Sequence, residues 1–264
     1  MNRMNRLFFF LFFLFNLTLF ADTNGIYDIR GSSPQLDANL TTFLDIWRHD
    51  TITPIQEGNY TNVRVNGKAD AKRVALTFDD SPDENNTDKV LDILKHYQVQ
   101  AGFFMIGQAM EDLNATAVTR ASNEGHLVLN HSFTHPRLSA LSSEEVAYEL
   151  NTTSERINTL TGHYPLLMRP PYGSINQKTV DTINAQGFTA ILWSLDSLDW
   201  ALQDKNAIIE NVITHVRNGD IILMHSGRAN NSSVEALPEI IEKLTEMGYS
   251  FLRLDELLGI RAYR

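Results

Sequence analysis

The sequence contains no cysteine among its 264 residues. This absence excludes disulfide frameworks, thiol nucleophiles and thiolate metal sites, so any bound metal must be held by histidine and carboxylate side chains. Basic residues are also few: 22 Lys and Arg stand against 32 Asp and Glu, which gives a formal charge of −10. Because nucleic-acid phosphates require a basic surface, we expect no nucleic-acid partner. No glycine-rich phosphate loop follows the first predicted strand, so a nucleotide-binding fold has little support.

Long apolar runs are scarce as well, and the one that stands out lies at the N-terminus. Arg3 and Arg6 precede an almost wholly apolar stretch from Leu7 to Phe20, and Ala21 then precedes a polar segment. This layout is typical of a signal peptide covering residues 1–21, and the stretch is short for a membrane span, which needs about 20 apolar residues. We expect export to the periplasm, the cell envelope or the medium. An uncleaved anchor is the alternative, and only then would the chain contact a membrane.

The rest of the chain divides by composition. Residues 22–71 are polar, with one helical apolar pattern from Leu36 to Trp47, and we interpret them as a short N-terminal extension packed on the main domain. A partly disordered linker is the rival interpretation. Residues 72–259 form the predicted main domain, and residues 260–264 form a C-terminal tail.

From Lys72 onward, short β-rich runs alternate with longer amphipathic runs. The predicted strands are Val74–Phe78, Ala101–Ile106, Leu127–Asn130, Leu166–Arg169, Phe188–Ser194, Ile221–His225 and Tyr249–Arg253. The predicted helices are Thr87–His96, Gln108–Asn123, Ser143–Thr161, Gln177–Gln186, Asn206–Arg217 and Ser233–Met247. Ser142 with Glu145 and Ser232 with Glu235 are plausible helix caps. This alternation predicts an α/β fold with a parallel sheet of about seven strands, either an open doubly wound sheet or a barrel.

Polar clusters fall at the ends of these predicted strands. The clusters are Asp79-Asp80, His131 with His135, Arg169, Asp196 with Asp199, and His225. The carboxyl ends of the strands are where β/α barrels build active sites. We therefore expect these side chains to meet in one site.

Two of the clusters suit a metal ion together, although each is weak alone. His131 and His135 are four positions apart, and on a helical turn two such imidazoles can reach one ion, but this spacing is often incidental. The Asp79-Asp80 pair often caps a helix in other proteins. Combined, they offer two imidazoles and a carboxylate, which suits zinc or another divalent transition ion and leaves coordination positions open.

The other clusters are ambiguous when taken singly. Arg169-Pro170-Pro171-Tyr172-Gly173 is a rigid turn that could merely connect a strand to a helix. The segment Asp196 to Trp200 could be a surface loop with an exposed Trp, and His225 could be a buried histidine with a satisfied hydrogen bond.

Taken in order, these motifs resemble the polysaccharide deacetylases of carbohydrate esterase family four, which share the NodB homology domain. The matching segments are Thr77-Phe78-Asp79-Asp80, His131-Ser132-Phe133-Thr134-His135, Arg169-Pro170-Pro171-Tyr172-Gly173, Asp196-Ser197-Leu198-Asp199-Trp200 and Leu223-Met224-His225. The resemblance covers roughly residues 72–259. It implies a distorted (β/α) barrel with fewer strands than the eightfold one.

The resemblance also implies roles for particular residues. Asp80, His131 and His135 would be the ligands of a divalent metal, with Zn²⁺ expected and Co²⁺ as an alternative. Asp79 would be the general base, held by Arg169, and His225 the general acid, with Asp199 as its partner. The backbone N–H of Tyr172 would bind the oxyanion, and Trp200 and Leu223 would line the pocket for the acetyl methyl group.

The implied function is removal of acetyl groups from an N-acetylated polysaccharide such as peptidoglycan or chitin. An acetylxylan esterase is the alternative within the same chemistry, and a catalytically silent glycan-binding module is the alternative from another class. Three positions differ from the usual family pattern: Ser81 and Leu129 replace glycine, and Ser226 stands where an acid is common.

Overall fold

The computed structural model of the chain describes residues 25–83, 85–227 and 231–264. The predicted signal peptide lies outside these residues. Within them, no helix has the length and apolar character needed to cross a bilayer.

The described residues form one sheet and eight α-helices. The strands are β1 (Val63–Arg64), β2 (Arg73–Ser81), β3 (Gly102–Met105), β4 (Leu127–Asn130), β5 (Leu167–Met168), β6 (Thr189–Ile191), β7 (Leu195–Asp196), β8 (Ile221–His225) and β9 (Ser250–Phe251). The helices are α1 (Ala38–Gln56), α2 (Thr87–Tyr97), α3 (Asp112–Asn123), α4 (Ser143–Thr161), α5 (Gln177–Ala185), α6 (Lys205–His215), α7 (Asn231–Glu246) and α8 (Leu254–Leu258). Short 3₁₀ turns lie at Gly107–Ala109, Leu138–Ala140 and Pro171–Gly173.

All ladders between these strands are parallel, as the β-then-α alternation predicts. The strand order is β1-β6-β5-β4-β3-β2-β8-β7, and β9 pairs with the start of β2. Since β1 and β7 end this order, the sheet is a curled partial barrel, and the predicted α/β distorted-barrel class is confirmed.

The described sheet contains nine strands, two more than the seven runs identified in the sequence. All seven predicted strands are present, and β1 and β7 are additional. Strand β1 lies in the segment interpreted as an extension, and β7 directly follows the predicted strand Phe188–Ser194.

The central strand β2 is buried on both faces. Val74, Leu76 and Phe78 pack in one apolar cluster, and Ala75 packs in the other. Successive side chains of a strand point to opposite faces, so a strand covered on both sides is mostly apolar rather than alternating. This burial continues to the end of β2, where polar residues begin.

The helices match their predicted ranges closely, but only one predicted cap is correct. Ser142 and Glu145 form a capping box at the start of α4, in which each side chain accepts a hydrogen bond from the other residue's backbone N–H. The predicted cap at Ser232 is wrong. Because α7 already begins at Asn231, Ser232 lies inside the helix, and its hydroxyl donates to the carbonyl of Gln203.

The segments on either side of the predicted catalytic domain pack onto it. The predicted helix over Leu36–Trp47 is present as α1, which runs on to Gln56 and buries Leu44, Ile52 and Ile55. Strand β1, also from the segment predicted as an extension, pairs with β6. In the C-terminal tail, the Tyr263 hydroxyl accepts a hydrogen bond from Val128 N. Both segments therefore contribute to the sheet or its core.

Candidate active site

The polar clusters predicted at the strand ends lie together in the structure. Asp79 and Asp80 lie near the end of β2, just before Ser81, and His225 is the last residue of β8, in register with Asp79. His131 follows β4 and Arg169 follows β5. Because these strands are parallel neighbours, their carboxyl ends share one edge of the sheet, and the side chains converge there.

A cleft of about 450 Å³ opens at this edge. Its walls are formed by Phe43, Leu44, Trp47, Asp79, Asp80, His131, His135, Arg137, Tyr172, Trp193, Asp196, Trp200, Leu223 and His225. The volume is in the range of small-molecule sites, and the combination of apolar walls with a few convergent polar groups is typical of them.

Asp80, His131 and His135 form a group whose ligand atoms all lie within 4.8 Å of one another. Asp80 Oδ1 lies 3.5 Å from His131 Nε2 and 3.1 Å from His135 Nε2. Burial alone would raise the pKa of Asp80, but interactions with the two imidazoles outweigh it and hold that pKa well below its usual range. Asp80 is therefore ionised at neutral pH.

The tautomer of His131 favours a metal at this position. Its Nδ1 lies 2.8 Å from the carbonyl oxygen of Arg169, which can only accept a hydrogen bond, so Nδ1 carries the proton. Nε2 is then the ring nitrogen available to a metal ion, and it faces Asp80 Oδ1, a buried oxygen with no hydrogen bond among the described residues. Two imidazoles and a carboxylate turned toward one point fit a divalent metal ion.

The loop that carries the two histidines is held by a residue that the sequence analysis missed. The Glu149 carboxylate, on α4, accepts hydrogen bonds from Phe133 N at 2.7 Å, Thr134 N at 2.8 Å and the Thr134 hydroxyl at 2.7 Å. It lies on the buried stripe of the helix, between Val146 and Leu150. A single acid in such a stripe was the signal that could have identified it.

Asp79 and Arg169 form a buried ion pair. Arg169 Nη1 donates to Asp79 Oδ1 at 2.7 Å and to the Thr77 hydroxyl at 3.0 Å. Burial lowers the pKa of Arg169 and the Asp79 carboxylate opposes that change, but a guanidinium keeps its charge in proteins. Since Arg169 holds Oδ1, the other oxygen, Oδ2, is the one that lies 3.6 Å from His131 Nε2.

His225 and Asp199 form a second pair. His225 Nδ1 lies 2.7 Å from Asp199 Oδ1, and the backbone N–H of His225 donates to Asp199 Oδ2 at 2.7 Å. Burial would lower the pKa of His225, but the Asp199 carboxylate more than offsets this and raises it to about 10. The ring is therefore protonated at neutral pH, with Nδ1 turned to the Asp199 carboxylate.

The predicted pocket residues also lie in this cleft. Leu223 is buried, Trp200 is partly exposed, and the indole N–H of Trp200 lies 3.2 Å from Asp196 Oδ1. The Tyr172 ring packs edge-on against His135 with centroids 4.8 Å apart, and the Arg137 guanidinium lies 4.7 Å from the Tyr172 ring centroid. The residues to which the resemblance gave roles therefore either line this cleft or, as with Arg169 and Asp199, bind a residue that does.

The backbone around the cleft adopts an unusual conformation. Asp80, Ser132, His135, Tyr172 and Leu198 all have φ between 60° and 65°, the left-handed region that favours glycine. Such conformations cost on the order of 1–3 kcal/mol each and cluster at functional sites. Their concentration here indicates that the side chains are positioned at a cost in stability.

The structure adds cleft residues for which no motif gave a signal. Phe43, Leu44 and Trp47 come from α1, which precedes every motif. Trp193 and Arg137 lie close to motifs in the sequence but outside them. Only their position in the fold places them at the site.

Comparisons with known proteins agree with this geometry. A polysaccharide deacetylase family model matches residues 66–191. A peptidoglycan-N-acetylglucosamine deacetylase of Bacillus cereus is 37% identical over 193 residues, which is 72% of this chain and 70% of that protein. The chain belongs to the polysaccharide deacetylase family. The predicted family resemblance is thus confirmed.

Two further relatives show the extent of the similarity. PgdA, a peptidoglycan-N-acetylglucosamine deacetylase of Listeria monocytogenes, is 37% identical over 71% of this chain, and the match spans only 39% of that longer protein. The crystal structure of the Bc1960 peptidoglycan N-acetylglucosamine deacetylase, in complex with a hydroxamate, superposes with a TM-score of 0.77 at 34% identity. That match covers 80% of this chain and all of the Bc1960 chain.

Proposed function

We propose that this chain is a metal-dependent hydrolase that removes acetyl groups from an N-acetylated glycan and releases acetate. The observation that carries the proposal is one cleft lined by a three-residue metal-binding group, a carboxylate held by a buried arginine, and a protonated histidine. Deacetylation requires these three functions together: polarisation of the carbonyl, removal of a proton from water, and protonation of the leaving nitrogen.

The metal would be held by Asp80, His131 and His135, with Zn²⁺ first and Co²⁺ second among the candidates. When bound, a divalent ion supplies a Lewis acid that polarises the acetyl carbonyl and acidifies water. Two features of the chain favour binding of the ion: Arg169 O fixes the tautomer of His131, and Asp80 is ionised.

Asp79 is suited to the role of general base. Its Oδ1 is fixed by Arg169, which leaves Oδ2 to accept a proton from the attacking water. The hydroxyl derived from that water forms the new bond to the acetyl carbon, and the backbone N–H of Tyr172 would stabilise the negative charge on the acetyl oxygen.

His225 is suited to the role of general acid. An amine is a poor leaving group, so the C–N bond breaks only as the nitrogen receives a proton. The Asp199 carboxylate orients the ring through Nδ1, and Nε2–H can donate that proton. The products are acetate and a free amino group on the sugar. Leu223 and Trp200 would enclose the acetyl methyl group.

The relatives suggest the polymer. The Bacillus cereus and Listeria monocytogenes relatives are named for peptidoglycan N-acetylglucosamine, which makes that sugar the first candidate here and chitin-type oligosaccharides the second. The net charge of −10 is compatible with a neutral glycan and unfavourable for nucleic acid.

Acetate release from peptidoglycan, chitooligosaccharides and acetylxylan tests the proposal. We expect release from at least one N-acetylated glycan, with a higher kcat/KM than for acetylxylan. Faster hydrolysis of acetylxylan would instead make the chain an O-acetyl esterase. Binding without any acetate release by the metal-loaded protein would make it a silent glycan-binding module.

We also propose that the protein is exported, on the basis of Arg3, Arg6 and the apolar run from Leu7 to Phe20. Mass spectrometry of cell fractions should find a chain that begins near Asp22 outside the cytoplasm. A soluble cytoplasmic protein that retains Met1 would contradict this proposal.

A further inference from the structure

The active-site cleft is partly built by α1. Phe43, Leu44 and Trp47 line the same cleft as the candidate metal ligands. The polysaccharide deacetylase match begins at residue 66, whereas α1 ends at Gln56. This wall of the cleft therefore lies outside the residues that the family model matches, whereas the structural match to Bc1960 covers 80% of the chain and extends beyond them.

The position of α1 is fixed by packing against the catalytic elements. Trp47 stacks on Trp193, with ring centroids 5.6 Å apart and an interplanar angle of 23°. A Cβ atom at Gly173 would lie 2.6 Å from a Trp47 ring carbon, so only glycine lets Trp47 approach the turn that contains Tyr172. Leu44 is buried in the main core. The helix is thus held rigidly at the edge of the site.

Phe43 is the residue of α1 that remains open to a ligand. Its side chain is 55% exposed although it borders the cleft, and Tyr172 and Trp200 are the other exposed aromatic residues there. Ile46, one turn further along α1, is 58% exposed but does not line the cleft. Large apolar side chains grouped at the rim of a cleft are typical of a binding surface, whereas isolated ones such as Ile46 are ordinary.

We propose that Phe43 binds the sugar ring adjacent to the one whose N-acetyl group lies at Asp80, His131 and His135. A pyranose ring presents a face of C–H groups, and an aromatic ring held in place offers a flat apolar surface of similar size for it. This proposal rests on the proposed function, because it takes a glycan as the substrate. It makes the N-terminal helix a determinant of preference for oligosaccharides over small acetyl compounds.

The experiment compares kcat/KM for N-acetylated chitopentaose and for 4-nitrophenyl acetate, using the zinc-loaded full chain. Phe43→Ala should reduce the ratio of kcat/KM for chitopentaose to kcat/KM for 4-nitrophenyl acetate about 10-fold. The change should come mainly from a higher KM for the oligosaccharide, because a stacking contact far from the reacting bond stabilises the bound substrate and the transition state equally. Phe43→Trp should retain the wild-type ratio. Ile46→Ala is the matched control, with similar exposure on the same helix, and should leave the ratio unchanged.

A ratio in Phe43→Ala equal to that of Ile46→Ala would overturn the proposal. If the wild type releases no acetate from any glycan, the proposed function fails, and the affinity for chitopentaose then decides the subsite. Tryptophan fluorescence titration should give a Kd that is weakened about 10-fold by Phe43→Ala and not by Ile46→Ala. Equal Kd values, or no binding by the wild type, would reject the Phe43 subsite as well.

Discussion

Ser81 Oγ lies 2.6 Å from Ser226 Oγ, and both side chains are fully buried. These are two of the three positions at which the sequence differs from the usual family pattern. The contact shows that the two differences are coupled, since each hydroxyl provides the buried hydrogen-bond partner of the other.

This contact predicts a non-additive pair of substitutions. Ser81→Ala or Ser226→Ala alone leaves one buried hydroxyl without a partner and should destabilise the fold by about 1–3 kcal/mol. The double variant removes both hydroxyls and should cost less than the sum of the single changes, by about 1 kcal/mol. Urea unfolding of the four proteins measures this coupling, and additivity within about 0.5 kcal/mol would refute it.

The His225–Asp199 pair predicts the alkaline limit of activity. Because folding raises the pKa of His225 to about 10, protonation of the ring stabilises the folded protein. This contribution to the free energy of unfolding is fully present below pH 6.5 and is lost as the pH rises through about 10. Removing the negative charge in Asp199→Asn should lower the pKa of His225 and move the alkaline limb of kcat/KM to lower pH. The measurement is the pH profile of kcat/KM for the wild type and for Asp199→Asn. An alkaline limb at the same pH in both proteins would show that His225 is not the acid.

Asp79→Asn should separate base catalysis from metal binding. The amide can still accept a hydrogen bond from Arg169 but cannot take a proton from water, so kcat should fall about 10²–10⁴-fold while the metal is retained. Metal content and the unfolding midpoint must be measured beside kcat, because Arg169 loses a charged partner. If the variant loses its metal, Asp79 is a ligand, and the roles of the Asp79-Asp80 pair must be exchanged.

Glu149 should be important for stability and metal affinity without touching the substrate. Glu149→Ala leaves Phe133 N and Thr134 N without their acceptor and should destabilise the fold by about 2–4 kcal/mol. Metal affinity should fall as well, because the same loop carries His131 and His135. Chemical unfolding and zinc titration test this, with Glu155→Ala on the exposed face of α4 as the control. Equal behaviour of the two variants would contradict it.

Much of the site could be predicted because of how parallel sheets are built. A polar residue directly after an apolar strand lies at the carboxyl edge of the sheet, so Asp79, His131, Arg169 and His225 could be grouped from the sequence alone. Their identities then indicated the chemistry. At these residues, the end of an apolar run in the sequence is also the carboxyl edge of the sheet.

The remaining features depend on tertiary contacts that leave no local pattern. Phe43 and Trp47 follow an ordinary helical spacing, and only the docking of α1 against Trp193 brings them to the cleft. Strands β1 and β7 are defined by their pairing with β6 and β8, and nothing in the sequence near them shows those partners. The misplaced cap at Ser232 reflects the same limit, because a cap motif in the sequence does not fix where a helix begins.

Metal dependence is the central claim, and one comparison tests it most directly. Acetate release from chitopentaose should be measured for the wild type, the chelated wild type and the His131→Ala, His135→Ala double variant, with bound zinc quantified in each. We predict that chelation abolishes activity, that zinc or cobalt restores it, and that the double variant neither binds metal nor releases acetate. Full activity in the double variant, or in the chelated wild type with no detectable metal, would contradict the account.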